Sequence, residues 1–311
     1  MSSRSEDAGR SSFGEADAPA GAAVRRQLAK LASEPLAPGL YLVATPIGNL
    51  ADITLRALAV LGAADIIYCE DTRHSARLLQ HYSIRAETRP LHDHNEEGET
   101  PRVLDALCAG KAVAVISDAG TPLISDPGFK LVRAAVAAGH AVVAVPGPSS
   151  VITAMASSGL ATDAFFFSGF LPAKSQARRT RLSELKLIPG SLVMFEAPQR
   201  LAESLADMAE LLGARSAAVA RELTKLHEEI ARGTLAELAA AFQSRDVKGE
   251  IVIVAGPPVA AQASDEDIAL ALNSALASMS LKDAAKAVAD ALGVPKSRVY
   301  DLGLKLKGGG G

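Results

Sequence analysis

At 311 residues the chain exceeds one average domain and has room for two, and with 49% hydrophobic but only 4% aromatic residues it can fill a large core of helices packed closely on sheets. A net charge of −3 excludes a protein that coats polyanions at large, so any nucleic-acid contact must come from a local basic patch. Two cysteines, Cys69 and Cys108, exclude a disulfide framework and point to a reducing compartment, the cytoplasm; no apolar run reaches the roughly 18 residues of a membrane span.

Residues 1–37 are Ser, Gly, Ala and charge with little periodicity, and carry no signal-peptide pattern; they are expected as a disordered tail. The short apolar run 40–44 predicts a buried strand, and Thr45-Pro46-Ile47-Gly48-Asn49 a tight loop after it. A helix over 54–61 follows. Strand 66–69 ends in Glu70-Asp71-Thr72-Arg73, strand 112–116 in Ser117-Asp118-Ala119-Gly120-Thr121-Pro122, and strand 141–145 in Pro146-Gly147-Pro148-Ser149-Ser150. Continuous Val/Ile/Ala strands separated by helices predict a mostly parallel sheet covered on both faces.

The second half opens with Phe165-Phe166-Phe167 as a strand, broken at Gly169-Phe170-Leu171-Pro172. Then come a polar helix over 175–187, strand 191–195, helix 198–212, strand 217–220, helix 235–243 and strand 250–255. Beyond Gly256-Pro257-Pro258 the pattern is helical over 265–279 and 282–292, with a short segment 296–302 and a flexible glycine end. The expected organisation is therefore a tail (1–37), an α/β domain (38–162), a second α/β domain (163–257) and a small helical module with its flexible end (258–311).

Three loops at strand ends of the first domain combine small residues with exposed amides. In open α/β sheets the ligand crevice lies beyond the carboxyl ends of the strands; Gly lets backbone approach a ligand closely, and Pro stiffens the loop. Ordinary connections also use Gly and Pro, but three such loops on one sheet edge point to a ligand site.

These loops, together with Asp52-Ile53-Thr54-Leu55-Arg56, Leu123-Ile124-Ser125-Asp126-Pro127-Gly128, Phe167-Ser168-Gly169-Phe170-Leu171-Pro172, Phe195-Glu196-Ala197-Pro198-Gln199-Arg200 and Arg221-Glu222-Leu223-Thr224-Lys225, resemble the ribosomal RNA small subunit methyltransferase I family of the tetrapyrrole methylase superfamily. The resemblance runs from about residue 38 to the C-terminus; Gln199 departs from it, standing where His is usual. Corrin and sirohaem methylases carry Gly-x-Gly-Pro-Gly-Asp and Gly-Asp-Pro where this chain has Thr-Pro-Ile-Gly-Asn and Ala-Gly-Thr-Pro, which favours the RNA branch. A tetrapyrrole C-methyltransferase on the same scaffold is the alternative.

The resemblance implies two α/β domains of the tetrapyrrole methylase type with a cleft between them, and S-adenosyl-L-methionine as methyl donor, with no metal. It implies a cytidine ribose 2′-oxygen of 16S RNA in the small ribosomal subunit as target, and a homodimer. Carried over by position, the cofactor residues are Pro46, Ala119, Gly120, Thr121, Ile124, Ser149 and Ser150, with Glu196 and Glu222 from the second domain.

A ribose hydroxyl is a weak acid, so the reaction needs alignment and a proton acceptor. Asp71, His92, Asp93, His94, Asp118 and Glu196 are the available bases; Asp71 and Asp118 are preferred because they sit at strand C-termini, although both positions also suit loop capping. His92-Asp93-His94 has metal-ligand chemistry but no further clustered ligand, and reads as a solvated loop. RNA contacts are expected from Lys174, Arg178, Arg179 and Arg181, with Arg73 and Arg77 on the first-domain rim, although such a run also suits a solvated helix face. No Gly-x-Gly-x-x-Gly, Gly-Lys-Ser/Thr or Gly-x-Ser-x-Gly supports a dehydrogenase, a P-loop enzyme or a hydrolase.

Overall fold

The computed structural model describes residues 19–258 and 264–308, and the chain divides into two compact units, 1–257 and 258–311. The first 18 residues of the expected tail and the last three of the glycine end lie outside the described residues.

The first unit begins with α1 (Pro19–Ser33), β1 (Gly39–Val43), α2 (Leu55–Ala63), β2 (Ile66–Cys69), α3 (Thr72–His81), β3 (Glu87–Pro90), α4 (Glu96–Cys108), β4 (Ala112–Ile116), α5 (Phe129–Ala137) and β5 (Val142–Val145). Helix α1 corrects the expectation of a structureless segment up to residue 37. Its Ala, Arg, Gln, Leu and Lys are good helix formers, and it lies against α2 with Leu28 and Leu31 half-buried.

The strands form one sheet, ordered β3-β2-β4-β1-β5, with every pair parallel. Side chains alternate between its faces. Tyr41, Val43, Ala112, Ala114 and Ile116 pack on one side with Ala57, Val60 and Leu61 of α2, while Leu40, Val113 and Val115 pack on the other with Val103, Leu107, Leu131 and Ala135 of α4 and α5. Burying both faces explains why β1, β2 and β4 read as unbroken apolar runs.

Helix α6 (Ser150–Ser158) leads into a second sheet. Its elements are β6 (Phe165–Phe170), α7 (Ser175–Leu185), β7 (Ser191–Glu196), α8 (Leu201–Leu212), β8 (Ser216–Arg221), β9 (Glu229–Thr234), α9 (Leu235–Phe242) and β10 (Ile251–Ala255). The order is β6-β7-β10-β8-β9; β6 and β7 are parallel, and the other pairs antiparallel. Leu192, Met194, Val219 and Ile253 face α7, α8 and α9 in one core. On the opposite face, Val193, Ala220, Val252 and Val254 pack against Val151, Ala154 and Met155 of α6, together with Ile47 and Leu223. Helix α6 thus starts at the ligand-facing edge of the first sheet and ends inside the core of the second.

Arg215 is 1% exposed. Its guanidinium donates to the carbonyls of Gly190 at 3.4 Å, Gly256 at 3.1 Å and Lys186 at 3.0 Å, tying together the ends of α7 and β10 and the start of β7. Burial lowers its pKa.

The second unit contains α10 (Asp265–Leu276), α11 (Leu281–Leu292) and α12 (Lys296–Gly308). A capping box between Ser264 and Asp267 starts α10. Ile268, Leu272, Ala284, Ala285, Val288 and Val299 form the unit's own core. Helix α12 extends past the short segment expected at 296–302.

Candidate active site

The adjacent strands β4, β1 and β5 end side by side, so their loops meet. Thr45 N–H donates to the Gly120 carbonyl at 2.8 Å, and Gly120 N–H returns a bond to the Thr45 carbonyl at 3.1 Å. The Thr45 hydroxyl donates to the Ser117 carbonyl at 3.2 Å, and the Thr121 hydroxyl to the Pro148 carbonyl at 3.2 Å. Ser149 then caps α6, accepting from Ile152 N–H at 3.5 Å. Three loops expected to hold one ligand are therefore fastened together by backbone groups and two threonine hydroxyls.

They form one wall of a cleft of about 330 Å³, a volume in the range of small-molecule sites. Of the residues expected at the cofactor, Ala119, Gly120, Thr121, Ile124, Ser149, Ser150 and Glu196 line it. Pro46 is buried behind the wall, and its neighbour Ile47 takes the lining position. Glu222 does not line the cleft: its carboxylate accepts from Glu250 N–H at 2.9 Å and Lys225 Nζ at 2.9 Å, while Leu223 faces the cavity. The Lys225 contact helps hold the Glu222 carboxyl below its usual pKa against the opposing effect of burial.

The opposite wall is largely apolar. Phe170 and Phe195, with ring centroids 5.4 Å apart, join Ala220, Leu223 and Val252. Glu196 lies at this wall with its carboxylate fully engaged. It accepts from Ala197 N–H at 2.8 Å, Arg200 Nε at 2.8 Å and the Ser204 hydroxyl at 2.5 Å; its side chain has 0% exposure.

Two turns bordering the cleft hold non-glycine residues in the left-handed region. Leu123 has φ 73° and Ser125 φ 67°; across the cleft, Glu222 has φ 50° and Thr224 φ 67°. Such a conformation costs an L-residue about 1–2 kcal/mol, and strain of this kind concentrates at functional sites.

Two roles were open for Asp71 and Asp118, base or loop cap, and Asp71 takes the second. Asp71 is the N-cap of α3, accepting from Arg73 N–H at 2.8 Å and pairing with the Arg73 guanidinium at 2.9 Å. These bonds lower its pKa to about 2. Asp118 Oδ1 accepts from Asp71 N–H at 3.3 Å. Neither residue is among those lining the cleft. Asp126 is, and the sequence reading did not select it. Burial, then the charge of Glu70, raises its carboxyl pKa to about 6; Asp118 and Asp93 add to the rise, and the Ser117 hydroxyl opposes it. The only sequence signal was its place between a third-loop Ser and a Pro-Gly turn.

The expected RNA-facing helix α7 needs one correction. Arg178 is 2% exposed, with Nε 2.7 Å from Asp207 and a terminal nitrogen 3.5 Å from Glu203, so it pins α7 to α8 instead of facing solvent. Arg179 bridges Asp207 at 2.8 Å and Glu210, and Arg181 pairs with Glu184 at 2.9 Å. Lys174 is exposed at the start of α7, and Arg73 and Arg77 are exposed on α3. His92 and His94 lie in the turn before α4, where Asn95 accepts from His92 N–H at 2.8 Å. Among the described residues, no group of three or more His, Cys, Asp or Glu is placed to hold a metal ion, and no helix is long and apolar enough to cross a membrane.

A parallel sheet joined through a cleft to a mixed sheet places the chain in the tetrapyrrole methylase class. Residues 39–239 match the family of Tetrapyrrole (Corrin/Porphyrin) Methylases, and residues 262–307 match the RsmI C-terminal HTH domain. The fold is shared with uroporphyrin-III-C-methyltransferase from Thermus thermophilus (TM-score 0.51, 20% identity, 70% of this chain and 94% of that one), and with a diphthine synthase (TM-score 0.55, 15% identity, 70% and 89%). Sequence relatives are much closer. The chain is 51% identical over 280 residues to the Ribosomal RNA small subunit methyltransferase I of Mesorhizobium japonicum, covering 89% of this chain and 95% of the relative. It is 45% identical to that of Escherichia coli O157:H7, covering 86% and 96%. The chain belongs to the ribosomal RNA small subunit methyltransferase I family.

Proposed function

We propose that this protein transfers the methyl group of S-adenosyl-L-methionine to the ribose 2′-oxygen of a cytidine in 16S RNA of the small ribosomal subunit. The observation that carries the reading is the cleft: backbone of Ala119, Gly120 and Thr121 on one side, apolar Phe195, Leu223 and Val252 on the other, in a chain 51% identical to a named small-subunit RNA methyltransferase. These residues fit the donor, because an adenosyl group needs close backbone approach and an apolar wall more than it needs charge. The donor, when bound, supplies an electrophilic methyl on a sulfonium. The protein's part is to hold the ribose oxygen in line with that methyl, exclude water and take up the proton.

Lys174, Arg73 and Arg77 are the exposed cations this reading assigns to RNA phosphates, with the partly exposed Arg181 as a further candidate. A cytoplasmic homodimer completes it; exposed Phe129, Val136 and Ile152 offer apolar surface for a partner, and light scattering checks the assembly. Incubating the protein with the methyl donor and small subunits, then analysing nucleosides by mass spectrometry, should reveal 2′-O-methylcytidine. Methylation of a tetrapyrrole instead, with unmodified RNA, would transfer the reading to the other branch of the superfamily.

A further inference from the structure

We infer that Asp126 is the catalytic group that takes the proton from the ribose 2′-hydroxyl, an assignment that rests on the RNA-methylating reading above. Among the described residues, three carboxylates line the cleft: Asp126, Glu196 and Glu250. Glu196 is saturated by Ala197, Arg200 and Ser204. Glu250 is 69% exposed and pairs with Lys225 at 3.1 Å. Asp126 forms no ion pair with any described residue, and it lines the cleft on the same loop as Ala119, Gly120 and Thr121.

Its position is built into the backbone. Leu123 and Ser125, both left-handed, coil the chain so that Ser125 and Asp126 follow Ile124 along the wall. The surroundings then set its basicity. Glu70 at the end of β2, Asp93 after β3 and Asp118 after β4 all present negative charge to it, with the Ser117 hydroxyl opposing them. A carboxylate that is partly desolvated and surrounded by like charge is a better base than an ordinary one, while still ionised at neutral pH. Asp71, held by Arg73 at the start of α3, has the opposite property.

In the step itself the 2′-O–H bond breaks and its proton passes to the Asp126 carboxylate. The oxygen lone pair forms the new O–C bond to the methyl, while the S–C bond breaks and its electron pair returns to sulfur. The proton then leaves to water, restoring the carboxylate.

The test compares wild type with Asp126→Asn and Asp126→Glu, using single-turnover methylation of small subunits from pH 5.5 to 8, calorimetry of the donor, and carbon-13 NMR titration of the Asp126 carboxyl. The assignment expects Asp126→Asn to slow methyl transfer about 100-fold or more with donor affinity within about twofold of wild type. It also expects a wild-type rate that falls about tenfold per pH unit below about 6, matching the titration, and partial recovery in Asp126→Glu. An active wild type with an equally fast Asp126→Asn overturns this assignment alone, as does a rate loss matched by an equal loss of donor affinity, which would make Asp126 a binding group. A wild type unable to methylate the subunit overturns the substrate reading and this assignment together.

Discussion

Thr45 and Gly120 exchange both of their backbone hydrogen bonds, at 2.8 and 3.1 Å, although 75 positions separate them in the chain. This small antiparallel bridge joins the loops after β1 and β4 and leaves Gly120 facing the cleft with φ +81°. A side chain there has no comfortable conformation, and its Cβ would lie 3.3 Å from Ile47 Cγ2.

Gly120→Val should therefore abolish measurable binding of S-adenosylmethionine. The unfavourable backbone, worth about 1–3 kcal/mol, should also lower the melting temperature by several degrees. Calorimetry and thermal unfolding check the two effects separately; unchanged donor affinity would remove this loop from the site.

Arg178 and the exposed cations should separate by assay. Arg178→Met leaves Asp207 with Arg179 as its remaining partner and should destabilise the fold by about 3 kcal/mol, with little change in RNA affinity per folded molecule. Lys174→Gln with Arg77→Gln should leave unfolding unchanged and weaken subunit binding. The slope of log affinity against log salt should become shallower by about one unit per lost phosphate contact. Filter binding at several salt concentrations reads this out.

Two aspartates should give stability opposite pH dependences. Asp126 has a folded pKa of about 6 against an ordinary value of 3.8, so the folded chain takes up a proton that the unfolded chain does not as pH falls from 6 to 4. That group favours the fold as pH drops through 6 and opposes it above. Asp71, lowered to about 2 from 3.8, favours the fold above about 3.8 and loses that contribution as pH falls toward 2. Asp126→Asn should accordingly raise the melting temperature at pH 8 more than at pH 5. Equal shifts at both values would show that the carboxyl is not perturbed.

Arg215→Met should be among the most destabilising single changes in the first unit. It removes donors from three carbonyls in a site with no carboxylate partner among the described residues, and each orphaned buried acceptor costs about 1–3 kcal/mol. Denaturant unfolding measures it; a loss below 1 kcal/mol would mean that water replaces the guanidinium.

Much of this architecture is legible in the sequence, for a physical reason. Strands β1, β2, β4 and β10 are buried on both faces and announce themselves as apolar runs, and the loops after β1, β4 and β5 carry Gly and Pro where the cleft lies. Strands β3 and β9 escaped notice: Glu87-Thr88-Arg89-Pro90 and Glu229-Ile230-Ala231-Arg232-Gly233-Thr234 lie at sheet edges, where polar residues, Pro and Gly protect against further pairing and erase the apolar signal. Counting charges along α7 could not reveal that Asp207 and Glu203 of α8 would claim Arg178. Asp126 was passed over because its neighbours Glu70, Asp93 and Asp118 come from separate strand ends, and a basicity created by folding leaves no local mark in the chain.

Helix α6 gives the two sheets a shared mechanical element. Its first turn, at Ser149 and Ser150, touches the cavity, while Val151, Ala154 and Met155 are embedded beneath β7, β8 and β10. Ligand pressed against that turn should also stiffen Ala154 and Met155, which do not line the cavity. Slower amide exchange in the far sheet upon donor binding is the expected trace, so the two lobes should melt as one body when loaded.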